Sequence, residues 1–296
     1  GAAGRRAPHR RHPSRARLLM DPDPSLADFS AAVTRADADI PLARAAFLIA
    51  AAEQPGLEVD KQLARLDDLA EAAVSRSDGH DELRRLHRLR EFLFEEQGFA
   101  GDRGDYFDPR NSYLNHVLDR RLGIPITLSL VLIEVGRRLG LHMEGVGLPG
   151  HFITGVRIGG EHVLLDPFDR GALLTVESCG EVVRRALGRA VRLQAEHFAP
   201  VTNRQFLVRM LANLKGIYWR QEAWSKVVRV IDRTLALHPS AAGERRDRGA
   251  AWSNMGRLDR GAADWERYLT EFPDAADHEQ VRGQLRRVRQ KLAQLN

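Results

Sequence analysis

The chain has 296 residues, 43% hydrophobic and 29% charged, with a single Cys. That length predicts two domains with a sizeable core, and a lone Cys excludes an intrachain disulfide framework and suits a reducing, cytoplasmic setting. The net charge of +5 comes from one end: residues 1–19 hold Arg5, Arg6, Arg10, Arg11, Arg15 and Arg17 and no acid, and removing these six from 45 leaves 39 Lys and Arg against 40 Asp and Glu, so the charge does not argue for a nucleic-acid-binding domain.

Residues 1–24 read as a disordered basic tail. The stretch has no apolar segment of the kind a secretory signal needs, and Met20 opens an ordinary helical pattern. The rival reading of the tail is a basic arm for an anionic partner. Nucleic acid is not an expected partner for the remainder. No apolar run reaches the roughly 18 residues of a membrane helix, because Glu134 interrupts the best candidate, so no membrane partner is expected.

Residues 25–98 form a helical N-terminal region. Ser25 is the predicted cap of a helix to about Ala38, and Pro41 opens a second, to about Glu53. Leu63, Leu66, Leu69, Ala70 and Ala73 mark a third, and Leu83, Leu86, Leu89 and Leu93 stripe a fourth. These stripes read as core. His80 and His87 have no partners at metal-ligand spacing.

Residues 99–196 contain the part of the chain densest in Gly, Pro, Asn, His and Asp, from Asp105 to Thr175, where a site is expected. Ser112 to Leu122 is a short helical pattern with Ser112 as its predicted cap and Gly123 at its end. Pro125 then takes the first position of a helix, where its missing N–H costs nothing. That helix, Ile126 to Leu139, is apolar nearly all round and so belongs inside; Arg137 and Arg138 suit its C-terminal dipole and Gly140 stops it. His151 to Ile158 and His162 to Asp166 are extended, joined by Gly159–Gly160 as a two-residue hairpin turn. In that register Ile153 pairs with Asp166. His151 and Asp166 then share a face as diagonal neighbours, roughly 7–8 Å apart at the backbone. A carboxylate so placed can orient an imidazole, as in nucleophile–His–Asp enzymes. Glu177 to Gly188 is a further helix, in which Cys179 reads as a small buried hydrophobe.

From residue 197 to 296 the chain reads as helix pairs. Pro239 and Pro273 stand 34 residues apart, the tetratricopeptide period. At that offset Tyr218 matches Trp252 and Ile231 matches Trp265, while Arg248 occupies the slot held by Leu214. Val281 to Leu295 is a basic amphipathic helix that closes the stack.

The motifs DPRNSYLN, RRLGIPITLS, GVGLPGHF and LLDPFDRG, in that order, resemble the bacterial SirB-type family, which joins a transglutaminase-like, papain-type core to C-terminal tetratricopeptide repeats. The resemblance spans nearly everything from Met20 onward. It implies an α+β fold: a helical N-terminal region, a core with a small antiparallel sheet, and α-helical repeats. It also implies a catalytic triad, of which His151 and Asp166 are present. In the catalytic relatives a Cys opens the buried helix, where the dipole lowers its pKa. The matching slot, near Pro125 to Thr127, holds no Cys.

Two functions follow. One is a non-catalytic protein- or peptide-binding adaptor, using its cleft and repeats. The alternative is a hydrolase or acyltransferase in which Thr127 supplies a hydroxyl nucleophile to His151 and Asp166. The expectation leans toward binding, because the thiol is absent. Asn111, Asn115 and Glu134 are candidate residues for the cleft entrance, the two Asn projecting from one helical face by their i, i+4 spacing; Tyr218 and Trp252 are candidates in the repeats. No metal or other cofactor is expected. His142, His151 and His162 are scattered, and Gly145, Gly147 and Gly150 follow no phosphate-loop pattern.

Overall fold

The computed structural model describes residues 23–74 and 81–295. The expectations for the basic tail, up to residue 22, and for His80 lie outside them. The N-terminal region contains α1 (Ser25–Val33), α2 (Leu42–Ala51), α3 (Val59–Val74) and α4 (Glu82–Arg90), the last running into a wider π turn at Glu91–Glu96. Helix α1 ends five residues before Ala38. Thr34 leaves helical geometry, with its hydroxyl bonded to the Ser30 carbonyl, and Asp37–Asp39 make a separate 3-10 turn. Ser25 does not cap α1. It lies inside the first turn, and its hydroxyl donates to Asp23 and accepts from Arg233. Of the α4 stripe, Leu86, Leu89 and Leu93 are buried, while Leu83 is exposed.

Two short strands, β1 (Ala100–Gly101) and β2 (Leu122–Gly123), pair in parallel around a 3-10 turn at Pro109–Ser112 and the helix α5 (Leu114–Arg120). The helix expected from Ser112 is thus divided. Asp108 accepts from the Arg110 N–H and caps the 3-10 turn, Tyr113 precedes α5, and the Ser112 hydroxyl has no partner among the described residues. Arg121, in the left-handed region at φ 60°, ends α5 before Gly123 is reached. Helix α6 (Pro125–Arg138) has Pro125 at its first position and every residue from Pro125 to Gly136 buried, in keeping with its apolar pattern.

The sheet is β3 (His142–Val146), β4 (Ile153–Ile158), β5 (Glu161–Asp166) and β6 (Ala172–Leu174), antiparallel and in that order. Gly159 and Gly160 have φ of 57° and 88°, so both centre residues of the hairpin are left-handed, which side chains with a Cβ resist. Thr154 pairs with Leu165 and Ile158 with Glu161, the register that sets Ile153 against Asp166. Helix α7 (Val176–Leu187) follows, capped by Thr175 and Ser178.

The C-terminal helices are α8 (Asn203–Arg220), α9 (Trp224–Leu237), α10 (Ala242–Asn254), α11 (Leu258–Glu271) and α12 (His278–Leu295). The largest apolar cluster runs from Phe29 through α6 to Trp252 and so joins the N-terminal helices, the sheet and helices α8, α9 and α10. Polar ties reinforce it. Buried Arg233 of α9 donates to Asp23, Ser25 and the Leu48 carbonyl, and Arg229 donates to the Ala52 carbonyl at 2.7 Å. Arg248, which breaks the repeat's Leu pattern, bridges Asp232 and Asp264 at 2.6 Å each and links α9, α10 and α11.

Candidate functional site

His151 enters the site on a loop shaped by its neighbours. Gly150 sits at φ +70°, and a Cβ there would lie 2.5 Å from Leu187 of α7. The loop is fastened by Arg209 of α8, which donates to the Leu148 carbonyl at 2.7 Å and to the His151 carbonyl. The Arg209 guanidinium also lies 5.3 Å from the centre of the Phe152 ring, and burial pulls its pKa down from the ordinary value. Asp166 ends β5 and opens the Pro167–Asp169 turn, accepting from the Phe168 N–H at 3.0 Å.

The two side chains meet. His151 Nε2 lies 3.0 Å from both carboxylate oxygens of Asp166, with His151 9% and Asp166 3% exposed. A carboxylate accepts, so Nε2 carries the proton of the neutral ring and Nδ1 is left as the basic nitrogen. Nδ1 has no hydrogen-bond partner among the described residues. The ring stands edge-on to Phe168 at 6.1 Å, and Phe168 in turn lies over Gly101, where a Cβ would come within 2.5 Å of the ring.

Beside the pair is a cavity of about 440 Å³. Its walls are His151, Asp166, Gly150 and Pro125, the aromatics Tyr106, Phe107 and Phe168, the charged Arg103, Asp169 and Arg185, and Val182 and Ala186 of α7. The first turn of α6 therefore does face His151, but it presents Pro125. Among the described residues no Ser, Thr, Cys or Lys lines the cavity. The Thr127 hydroxyl is buried within α6's first turn; it donates to the Asn111 carbonyl at 2.7 Å and accepts from the Ile124 N–H at 3.1 Å. Cys179 is buried in α7 against Val146, Leu148 and Ile153; burial, then the nearby Asp166 charge, pushes its thiol up to about 11.

The other candidates lie elsewhere. Asn111 is buried in the 3-10 turn, donating to the Asp105 carbonyl and accepting from Arg120. Asn115 belongs to α5 and donates to Gln54 at 2.7 Å. The two are thus not on one helix face. Glu134 pairs with Arg138 at 2.7 Å, farther along α6 than the turn that meets the cavity. Tyr218 is buried with its hydroxyl 2.6 Å from that of Tyr113, and burial raises it to about 12. Trp252 packs in the main core with Arg260 over its ring at 4.7 Å. Residues missed in the sequence are Arg103, Tyr106, Phe107, Phe168 and Arg185. The available signal was a set of aromatics in Asp-, Pro- and Gly-rich loops, DYFDPR and DPFDRG, where no core periodicity asks for them. Among the described residues no group of three or more His, Cys, Asp or Glu side chains is arranged to hold a metal ion, and no helix is long and apolar enough to cross a membrane.

Comparison with known proteins agrees with this architecture. Residues 60–212 match the transglutaminase-like superfamily and residues 214–286 the tetratricopeptide repeat. A UPF0162 protein of Xylella fastidiosa (strain 9a5c) is 37% identical over 84% of this chain and 90% of its own length. A UPF0162 protein of Vibrio cholerae is 30% identical over 72% of this chain and 78% of its own. F-box only protein 21 of Homo sapiens is 30% identical over 52% of this chain but 25% of its own length. No solved structure matches. A matched core centred on a His–Asp pair, followed by matched repeats, places this chain in the UPF0162 family, the SirB-type branch of the transglutaminase-like superfamily.

Proposed function

We propose that the protein binds a segment of a partner protein in the His151 cavity and acts as an adaptor, with no acyl-enzyme step. The observation that carries this is the cavity wall: the helix start that supplies a thiol in catalytic relatives supplies Pro125, and among the described residues no wall residue bears an alkyl hydroxyl or thiol. A cavity of this volume with three aromatics in its walls suits one or two side chains of an extended peptide. The repeats support protein partners in general.

One observation favours a second reading, the hydrolase or acyltransferase. Nε2 is anchored by Asp166 and Nδ1 is unpartnered, the arrangement of a general base. Against it, Thr127 already holds two backbone groups with its hydroxyl.

The test has two arms on the full chain. Peptides selected from a displayed random pool should be retained by the wild type and released by Phe168→Arg. Amide, ester and acyl-transfer probes should turn over no faster than with His151→Ala. Turnover that His151→Ala and Thr127→Ala each remove, with folding intact, overturns the adaptor reading and promotes the second.

A further inference from the structure

A second, smaller cavity of about 170 Å³ adjoins the first. It is lined by Tyr106 and Phe107, which also line the His151 cavity, together with Ile124, Gly216, Ile217 and Arg220. The two form one groove, running from α7 across the Tyr106–Phe107 pair to α8, with those rings packed edge to face at 5.3 Å. Phe107 is 58% exposed, and the Arg220 guanidinium lies 4.3 Å from its ring centre. Large exposed aromatics with Arg beside them are what protein-binding surfaces accumulate.

The charges along this groove do not balance. Its two carboxylates are both engaged, Asp166 by His151 and Asp169 by Arg103 at 2.8 Å. Arg185, at the α7 end, and Arg220, at the α8 end, have no carboxylate partner among the described residues. The groove thus has an unpaired guanidinium toward each end and an aromatic platform between them.

We propose that the groove takes an acidic, extended segment of a partner protein, its apolar middle lying on Tyr106 and Phe107 and its carboxylates paired with Arg185 and Arg220. This rests on the peptide-binding reading above and names the chemistry of the occupant. Guanidinium forks donate paired N–H bonds to carboxylates, and at an exposed rim such pairs govern partner choice and association rate more than raw affinity.

The experiment is fluorescence polarisation of the full chain with three labelled peptides: one with Asp and Glu flanking a single Phe, one with Asn and Gln in their place, and one with Lys. The acidic peptide should bind best and the Lys peptide worst, and added salt should weaken only the acidic one. Arg185→Glu and Arg220→Glu should each weaken acidic-peptide binding by about tenfold, with the Gln variants between. Both Arg side chains are exposed, so the melting temperature of each variant should match the wild type. Equal binding of acidic and neutral peptides, or no effect of either Glu variant, overturns the acidic assignment. Binding that Phe107→Ala abolishes without charge preference overturns it while leaving the peptide-binding reading in place. Failure of every peptide, or cleavage of any, overturns both. A single-stranded oligonucleotide that displaces the acidic peptide and binds more tightly through the same two Arg also refutes it.

Discussion

Replacing His151 with Ala should destabilise the protein by an amount that the structure lets one work out. Asp166 is 3% exposed and its carboxylate accepts two N–H groups, that of His151 Nε2 shared between both oxygens and that of Phe168 at Oδ1. The substitution removes the shared imidazole donor and leaves Oδ2 without a partner. An orphaned buried polar atom costs about 1–3 kcal/mol. The adjacent cavity of about 440 Å³ lets water reach Oδ2 once the ring is gone, so the lower part of that range applies, about 1–2 kcal/mol. Urea unfolding followed by Trp fluorescence and by far-ultraviolet circular dichroism measures it. All four Trp (Trp219, Trp224, Trp252 and Trp265) lie in the C-terminal helices, so coincidence of the two probes also tests whether the shared core melts as one. The double variant His151→Ala with Asp166→Ala removes the orphan as well, and should be less destabilised than the two single variants summed, by about 1–3 kcal/mol. A single-variant loss below about 0.5 kcal/mol, or strict additivity, would refute the view that the pair is a mutually dependent buried unit.

Asp102 supplies a pH dependence. The Asp105 N–H holds its carboxyl below the usual carboxylate value, burial pulls the other way, and Arg120 helps at 3.1 Å. Its stability contribution is therefore present above the unfolded value of about 3.9 and lost as pH falls through the lower folded value, so the urea midpoint should drop below about pH 4, and less steeply in Asp102→Asn. Cys179, its thiol at about 11 and fully buried, should resist iodoacetamide in the native state and react promptly in urea; stoichiometric native labelling would contradict its placement. Arg248→Leu restores the residue type of the first repeat's slot yet should cost about 3 kcal/mol by urea unfolding, because Asp232 and Asp264 lose their shared cation; replacing all three with Leu should recover most of it.

The hairpin and the buried helix were legible because each has one dominant local signal. Two adjacent glycines fix the turn, the period of two then fixes which residues share a face, and His151 meets Asp166 as a consequence. Helix α6 was legible from a proline start and an unbroken apolar run. Asn111 and Asn115 were misplaced because their spacing of four assumes one helix, whereas Pro109 and Asp108 build a 3-10 turn that changes the direction of the chain between them. Tyr218 and Trp252 were recognised as repeat slots, but a slot pattern cannot distinguish a groove wall from an inter-helix filling, and both are fillings. Arg209 was beyond reach altogether. Its partners are carbonyls 58 and 61 residues earlier, and a backbone carbonyl leaves no trace in residue type.

That last contact changes how the repeats relate to the core. A detachable repeat module would meet its neighbour through an exposed linker and a polar interface. Helix α8 instead starts by donating its Asn203 and Arg204 N–H groups to Asp37, holds the His151 loop through Arg209, buries Tyr218 against Tyr113, and ends at Arg220 over Phe107. One helix of 18 residues, about five turns, therefore touches the N-terminal region, the loop bearing His151 and the exposed aromatic of the groove. A ligand lying on Phe107 and Arg220 would bear on the same rigid element that sets His151, so groove and cavity are mechanically one site rather than two. Arg209→Met tests this: it retains the stem packing on Phe152 but loses both carbonyl contacts, and should weaken peptide binding while leaving Arg220 and Phe107 unchanged. Unaltered affinity with a normal melting temperature would show that the loop holds its position without α8.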